Sequence, residues 1–178
     1  PLITNLNGLN MLHTVGLKFE IEENAALSSL DGLESLSQVG GNFMMSRNEA
    51  LARIDALSNL TSVGIVDTGY LGGALLLSYL AIENLDGLEN LSVVNSLGIG
   101  NCPQLQNIHA LSNFTEFDYV NIGALPLLQS FYGLHNVTHI NERLWLQWLT
   151  VSDFSGFNSL VRVVDELYVY GTTIQTFE

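Results

Sequence analysis

Residues 31–54 read Asp31-Gly-Leu33-Glu-Ser-Leu36-Ser-Gln-Val39-Gly-Gly-Asn-Phe43-Met-Met45-Ser-Arg-Asn48-Glu-Ala-Leu51-Ala-Arg-Ile54. Two spacings share this stretch. Phe43 and Met45 lie two apart among Asn42, Met44 and Ser46, the period of a half-buried strand. The other apolar residues step by three, as Leu33, Leu36 and Val39 before the strand and Leu51 and Ile54 after it. No helical i, i+3, i+4, i+7 spacing lasts long enough for a proper helix. The stretch predicts one regular strand and short extended pieces joined by tight corners, each corner returning an apolar residue to a common axis.

The same unit recurs along the chain. A small residue followed by a large apolar one appears at Gly8-Leu9, Gly32-Leu33, Ala56-Leu57, Gly87-Leu88, Ala110-Leu111, Gly133-Leu134 and Gly156-Phe157, in steps of 24, 24, 31, 23, 23 and 23 residues. The strand pair returns as Phe19/Ile21, Leu75/Leu77, Leu97/Ile99, Val120/Ile122, Leu144/Leu146 and Leu167/Val169. Seven units therefore tile residues 1–178 as a single domain. The expected fold is all-β, a β-helix-like leucine-rich solenoid of about seven 23–24-residue coils with one regular parallel sheet. At ~4.8 Å between strands it would be about 34 Å long. Neither end carries a polar capping unit, so the chain is expected to be part of a longer surface protein or half of an assembly. Between Val63 and Leu75 lie eight residues more than in the second unit, which predicts an inserted loop over residues 64–74 with Tyr70 and Leu71 at its tip. Insertions in solenoids emerge on one side and often bind ligands.

Composition narrows the function. Five Lys and Arg against 18 Asp and Glu give a formal charge of −13, which excludes the basic footprint that nucleic acid or an anionic membrane requires. The longest apolar run, Tyr70 to Ile82, is far short of the ~20 residues that span a bilayer. A single cysteine, Cys102, makes no internal disulfide and occupies the place after the strand where Asn24 and Asn48 stand in earlier units. It reads as a small buried hydrophobe, and the two asparagines as inward side chains bonding the backbone of neighbouring coils. Asp31, Asp55 and Asp86 precede the Gly/Ala-Leu corner and are expected to cap its turn.

The motifs of Leu57-Ser-Asn-Leu60-Thr-Ser-Val63-Gly and of residues 31–45 resemble receptor L-domain leucine-rich repeats. Such repeats occur in insulin- and EGF-receptor-type ectodomains and, in simpler form, in microbial cell-surface proteins. The resemblance covers nearly the whole chain. It implies a right-handed solenoid displayed outside the cell that binds a ligand. The disulfide-bonded ends of the growth-factor-receptor branch are missing, so the plainer microbial repeats are the closer match.

No nucleophile elbow, phosphate loop, dinucleotide fingerprint, Cys-x-x-Cys pair or EF-hand loop is found, and neither a cofactor nor a catalytic residue is expected. His135 and His139 have zincin spacing without the adjacent Glu, so no metal is assigned to them. Asn59, Asn90, Asn113 and Asn136 each head a glycosylation sequon, all in one phase of the repeat. The outward strand columns differ from coil to coil. The middle one reads Glu20, Met44, Leu76, Gly98, Asn121, Trp145, Tyr168; the upstream one ends Tyr119, Arg143, Glu166; the downstream one ends Gly100, Gly123, Gln147, Tyr170. A shallow glycine floor beside an aromatic ridge suits recognition. Tyr119, Asn121, Arg143, Trp145, Gln147, Tyr168 and Tyr170 are thus the candidate ligand-binding residues, for a protein or glycan partner at a cell surface. Two rivals come from other classes: a glycan-degrading β-helix enzyme using Glu166 or Asp165, and ice binding through the hydroxyl column Ser37, Thr61, Ser92, Thr115, Thr138.

Overall fold

The inward pairs of successive repeats face one another as Cα partners, Phe19, Phe43, Leu75, Leu97, Val120, Leu144 and Leu167 in turn. This register comes from a computed structural model, which describes residues 2–64 and 72–174. The strands are β1 (Thr14–Val15), β2 (Phe19–Glu22), β3 (Gln38–Val39), β4 (Phe43–Asn48), β5 (Ser62–Val63), β6 (Ala74–Leu80), β7 (Ser96–Gly100), β8 (Glu116–Leu125), β9 (His139–Leu149), β10 (Arg162–Val163) and β11 (Glu166–Tyr170). β2, β4, β6, β7, β8 and β9 run parallel in that order, and β10 and β11 both pair with β9. A narrower sheet joins β1, β3 and β5 on a second side. The molecule is a β-solenoid of about six turns, one fewer than the seven repeats predict. Seven strand rows enclose only six intervals, and the first and last repeats each form part of a turn.

Residues 65–71 of the inserted loop, with Tyr70 and Leu71, lie outside the described residues. Its neck is closed: a Cβ built on Gly64 would stand 2.0 Å from the Gly73 Cα. The chain leaves the coil and re-enters it at one point, so β6 joins β4 in unbroken register from Phe43↔Leu75 to Asn48↔Leu80.

The three-residue spacing comes mostly from a string of i→i+3 turns, with short extended pieces where the series ends, at Val39 in β3 and Val63 in β5. Leu33 N–H donates to Leu30 O, Leu36 to Leu33, Leu51 to Asn48, Leu57 to Ile54 and Leu60 to Leu57. A 3₁₀ turn has three residues per revolution, so side chains at i and i+3 eclipse and all point inward. Two of these turns, Asp55–Leu57 and His109–Leu111, close into 3₁₀ helices, and those are the repeats with Ala before the Leu. Repeats with Gly there adopt positive φ instead, as at Gly32 (110°) and Gly133 (125°). A Cβ on either glycine would meet the carbonyl oxygen of the preceding coil at 2.1 Å.

The turn ahead of that corner is held differently from the sequence expectation. Its N–H groups are bonded by the side chain two residues earlier: Asn5 to Asn7, Ser29 to Asp31, Asn84 to Asp86, Asn107 to His109, Ser130 to Tyr132 and Asp153 to Ser155. Asp31 and Asp86 thus contribute a backbone N–H, and their carboxylates do not cap. Asx- and Ser-turn geometry explains why, since a short polar side chain reaches the N–H two residues ahead. Its hydrogen bonds with Ser155 hold the Asp153 carboxyl below its ordinary value.

A third corner follows each long strand. Glu23, Arg47, Tyr79, Asn101, Ala124 and Trp148 all have φ between 47° and 58°, one per coil, and Gly171 continues the column at 62°. One left-handed residue turns the chain off the sheet, so that the next side chain (Asn48, Leu80, Cys102, Leu125 or Leu149) points into the core. Left-handed backbone costs a residue with a Cβ about 1–2 kcal/mol. Replacing Ala124 by glycine is therefore expected to raise the unfolding free energy by about 1 kcal/mol, read from urea denaturation. A loss of stability would show that the Ala124 backbone is held without strain.

One continuous core runs down the axis, from Ile21 and Leu27 to Phe157. Asn48 lies within it at 0% exposure, donating through Nδ2 to Ile21 O at 2.8 Å and accepting from Asn24 N–H at 3.0 Å. Cys102 is equally buried, and desolvation pushes its thiol up to about 11. At neutral pH that sulfur is protonated and chemically quiet.

Candidate functional site

Alternation along β6 to β11 places one set of side chains in the core and the other on the outer face of the large sheet. On that face, in the last three coils, aromatic rings touch in series. Tyr119 meets Trp145 edge-on (5.6 Å between centroids), Trp145 meets Tyr168 (6.0 Å), Tyr168 stacks on Tyr170 (6.1 Å) and Tyr170 meets Trp148 edge-on (5.8 Å). The Arg143 guanidinium lies 5.9 Å from the centre of the Trp145 ring. Trp145 Nε1 donates to Glu166 Oε2 at 3.0 Å, and Gln147 Nε2 lies 3.5 Å from Asn121 Oδ1. All seven candidate binding residues therefore fall in one contiguous patch.

Tyr119 departs from its expected role. It is only 9% exposed, packed edge-on against Trp145 in a column that is also buried at Ala74 and Ser96. Tyr119 supports the ridge from beneath, while Tyr168 (39%) and Tyr170 (53%) form its surface.

Beside the ridge lies a groove of about 390 Å³. Its floor is Gly98, Gly100 and Gly123; the Leu76 side chain leans over Gly98, and the backbone is most open at Gly100. Met44, Leu76 and Tyr79 form one wall, and Gln147 and Trp148 the other. Tyr79 and Trp148 are missing from the sequence-derived set. Both occupy the left-handed corner column, which turns the side chain outward at the sheet edge (46% and 56% exposed). Their signal in the sequence was a large aromatic one place after the downstream outward column. A second hollow, of about 340 Å³, lies among Trp145, Gln147, Glu166 and Tyr168, and Gln147 belongs to both.

The four sequons have a structural explanation. Asn59 Nδ2 donates to Glu34 O, Asn90 to Ser58 O, Asn113 to Glu89 O and Asn136 to Ser112 O, at 2.6–2.9 Å. Two residues on, the hydroxyls repeat the pattern: Ser37 to His13 O, Thr61 to Ser37 O, Ser92 to Thr61 O and Thr138 to Thr115 O. Asn and Ser/Thr thus form two parallel rows of clips, each side chain reaching the carbonyl of the coil before it. The sequon is the spacing of those two rows. The same bonds engage four of the five hydroxyls of the ice-binding column, Ser37, Thr61, Ser92 and Thr138.

Among the other candidates, His135 stacks flat against Tyr132 (4.3 Å between ring centres), and His109 meets the far side of that tyrosine edge-on. Among the described residues, no three His, Cys, Asp or Glu side chains gather where a metal could sit, and no helix is long and apolar enough to cross a membrane. No family model, curated protein or solved structure matches this chain.

Proposed function

We propose that this chain is a non-catalytic recognition or adhesion module of an extracellular surface, using the outer face of its large sheet to hold a protein or glycan ligand. The observation that carries the reading is the run of rings from half-buried Trp145 through exposed Tyr168 and Tyr170 to exposed Trp148, lying next to a groove with a glycine floor. Aromatic side chains are rigid and offer large contact area at little entropic cost, which is why recognition surfaces favour them. The scaffold beneath is made of shared inward residues, so the outer columns vary from coil to coil without disturbing the core. A likeness to receptor L-domain repeats of microbial surface proteins agrees with this use and with an extracellular setting.

The test uses fluorescently labelled protein on a panel of intact microbial and animal cells and purified cell walls. Binding to at least one surface is expected, falling at least tenfold in the double variant Trp145→Ala/Tyr168→Ala. Because Tyr168 and Trp145 sit outside the core, the thermal midpoint should change by only a few degrees. Absence of binding to every surface, or binding indifferent to the double variant, overturns the reading.

A further inference from the structure

Resting on the recognition reading above, we infer that the ligand of the outer face is a neutral oligosaccharide chain lying along the solenoid axis, from the Tyr79 wall of the groove to Tyr168. The lining of the groove contains no charged side chain, in a protein of formal charge −13. A polyanionic glycan would be repelled by the molecule as a whole, and the nearby cation Arg143 is already drawn to the Trp145 face. A cationic peptide would find no carboxylate in the groove, and the one in the adjoining hollow, Glu166, already accepts a hydrogen bond from Trp145 Nε1. Besides the Tyr79 hydroxyl and the Trp148 N–H, the polar side chains there are Ser78, Asn101, Asn121 and Gln147, a hydroxyl and three carboxamides. Carboxamides both donate and accept, which matches neighbouring hydroxyls on a sugar ring.

Shape agrees with chemistry. The walls Tyr79 and Trp148 are aromatic, and their faces suit the C–H-rich faces of pyranose rings. A volume of about 390 Å³ lies in the range of small-molecule sites, and the floor is open at Gly100, where a Cβ would meet nothing nearer than the Gly123 carbonyl oxygen. Gln147 joins this groove to the hollow bounded by Trp145 and Tyr168. From β6 to β11 the joined track crosses four inter-strand steps, about 19 Å, so it is longer than a single sugar. Affinity should therefore grow with chain length.

The experiment measures binding by calorimetry and intrinsic tryptophan fluorescence. The probes are β-1,4-glucose, β-1,3-glucose, β-1,4-mannose and β-1,4-xylose series, from disaccharide to hexasaccharide, with polygalacturonate and alginate as charged counterparts. At least one neutral series should bind, at least tenfold more tightly as hexasaccharide than as disaccharide, with little change between low and high salt. Trp148→Ala should weaken it at least tenfold. Gly100→Leu should do the same by filling the floor. A Cβ at position 100 meets only the Gly123 carbonyl oxygen, at 3.4 Å, so the fold should tolerate that change and the thermal midpoint should hold. Binding confined to the polyanions, or neutral binding untouched by Gly100→Leu, overturns the inference. So does the absence of any neutral binding. Treating the cells of the preceding test with periodate, which cleaves vicinal diols, should abolish labelling, and protease should not. Labelling that resists periodate and is lost to protease refutes the sugar assignment while leaving the recognition reading intact.

Discussion

Phe131→Ala is expected to cost about 3–5 kcal/mol of unfolding free energy, the largest single-residue loss on the inward ladder. Phe131 is fully buried, with Phe157 at 4.9 Å and Phe154 at 6.3 Å between ring centres. It fills an inward corner of its coil, in the column of Ile54, Leu85 and Ile108. Coil spacing is fixed by strand hydrogen bonds on the large sheet and by side-chain clips at the opposite corner, so the walls cannot close over the missing ring. The loss should also be local. Each coil touches only its neighbours, and the core packing of the coils beyond Phe131 runs through this layer, while β9 stays paired to β8 along the sheet. Trp145 and Trp148 lie in that region, so their fluorescence should report an earlier urea transition than far-ultraviolet circular dichroism does. Phe19→Ala, in the half-buried first coil, should cost less than half as much. A loss below about 1 kcal/mol at Phe131, or coincident transitions from both probes, would mean that the stack redistributes strain along its length.

The inward residues and their register were legible because two independent signals agreed, the strand period within a unit and the recurrence between units. The columns Phe19 to Leu167 and Glu20 to Tyr168 follow from alignment of the repeats alone, and the strand pairs reproduce both. The left-handed corner was hidden for the opposite reason. Glu23, Arg47, Tyr79, Asn101, Ala124 and Trp148 share no residue type, and only Asn favours that conformation on its own. Tertiary closure of the coil imposes it. For the same reason Tyr79 and Trp148 were missed as walls of the groove, since a side chain's direction at a corner depends on backbone that no local pattern reports. Tyr119 was misjudged because alternation predicts which face a residue takes and says nothing of a neighbouring indole packed against it. The sequons recur in one phase because the Asn and hydroxyl clips sit two apart, the spacing of the glycosylation signal.

Asn48→Leu should cost about 2–3 kcal/mol, although leucine is what the same column carries at Leu80, Leu125 and Leu149. Leucine has as many side-chain heavy atoms as asparagine and is only bulkier at its methyls, so the larger loss is that of hydrogen bonds. Asn48 accepts from the Asn24 N–H and donates to Ile21 O, and leucine would leave that N–H without the partner it now has. A buried donor stripped of its partner costs its full desolvation, about 1–3 kcal/mol, where a satisfied pair contributes less. Cys102 shows the same task done by a weaker group: the Leu80 N–H donates towards its sulfur, one coil on. Asn48→Asp separates the two halves of the role. It keeps the acceptor and loses the donor, while burial favours the protonated carboxyl and raises its pKa above the unfolded value. The stability of that variant should consequently be greatest at low pH, where the carboxyl can donate to Ile21 O, and fall as pH rises through the folded pKa. Guanidinium titrations of the wild type, Asn48→Leu and Asn48→Asp at pH 4 and pH 7 decide the matter. If Asn48→Leu matches the wild type, the asparagine is there for packing alone. If Asn48→Asp shows no added pH dependence over the wild type, the site is wetter than its burial indicates.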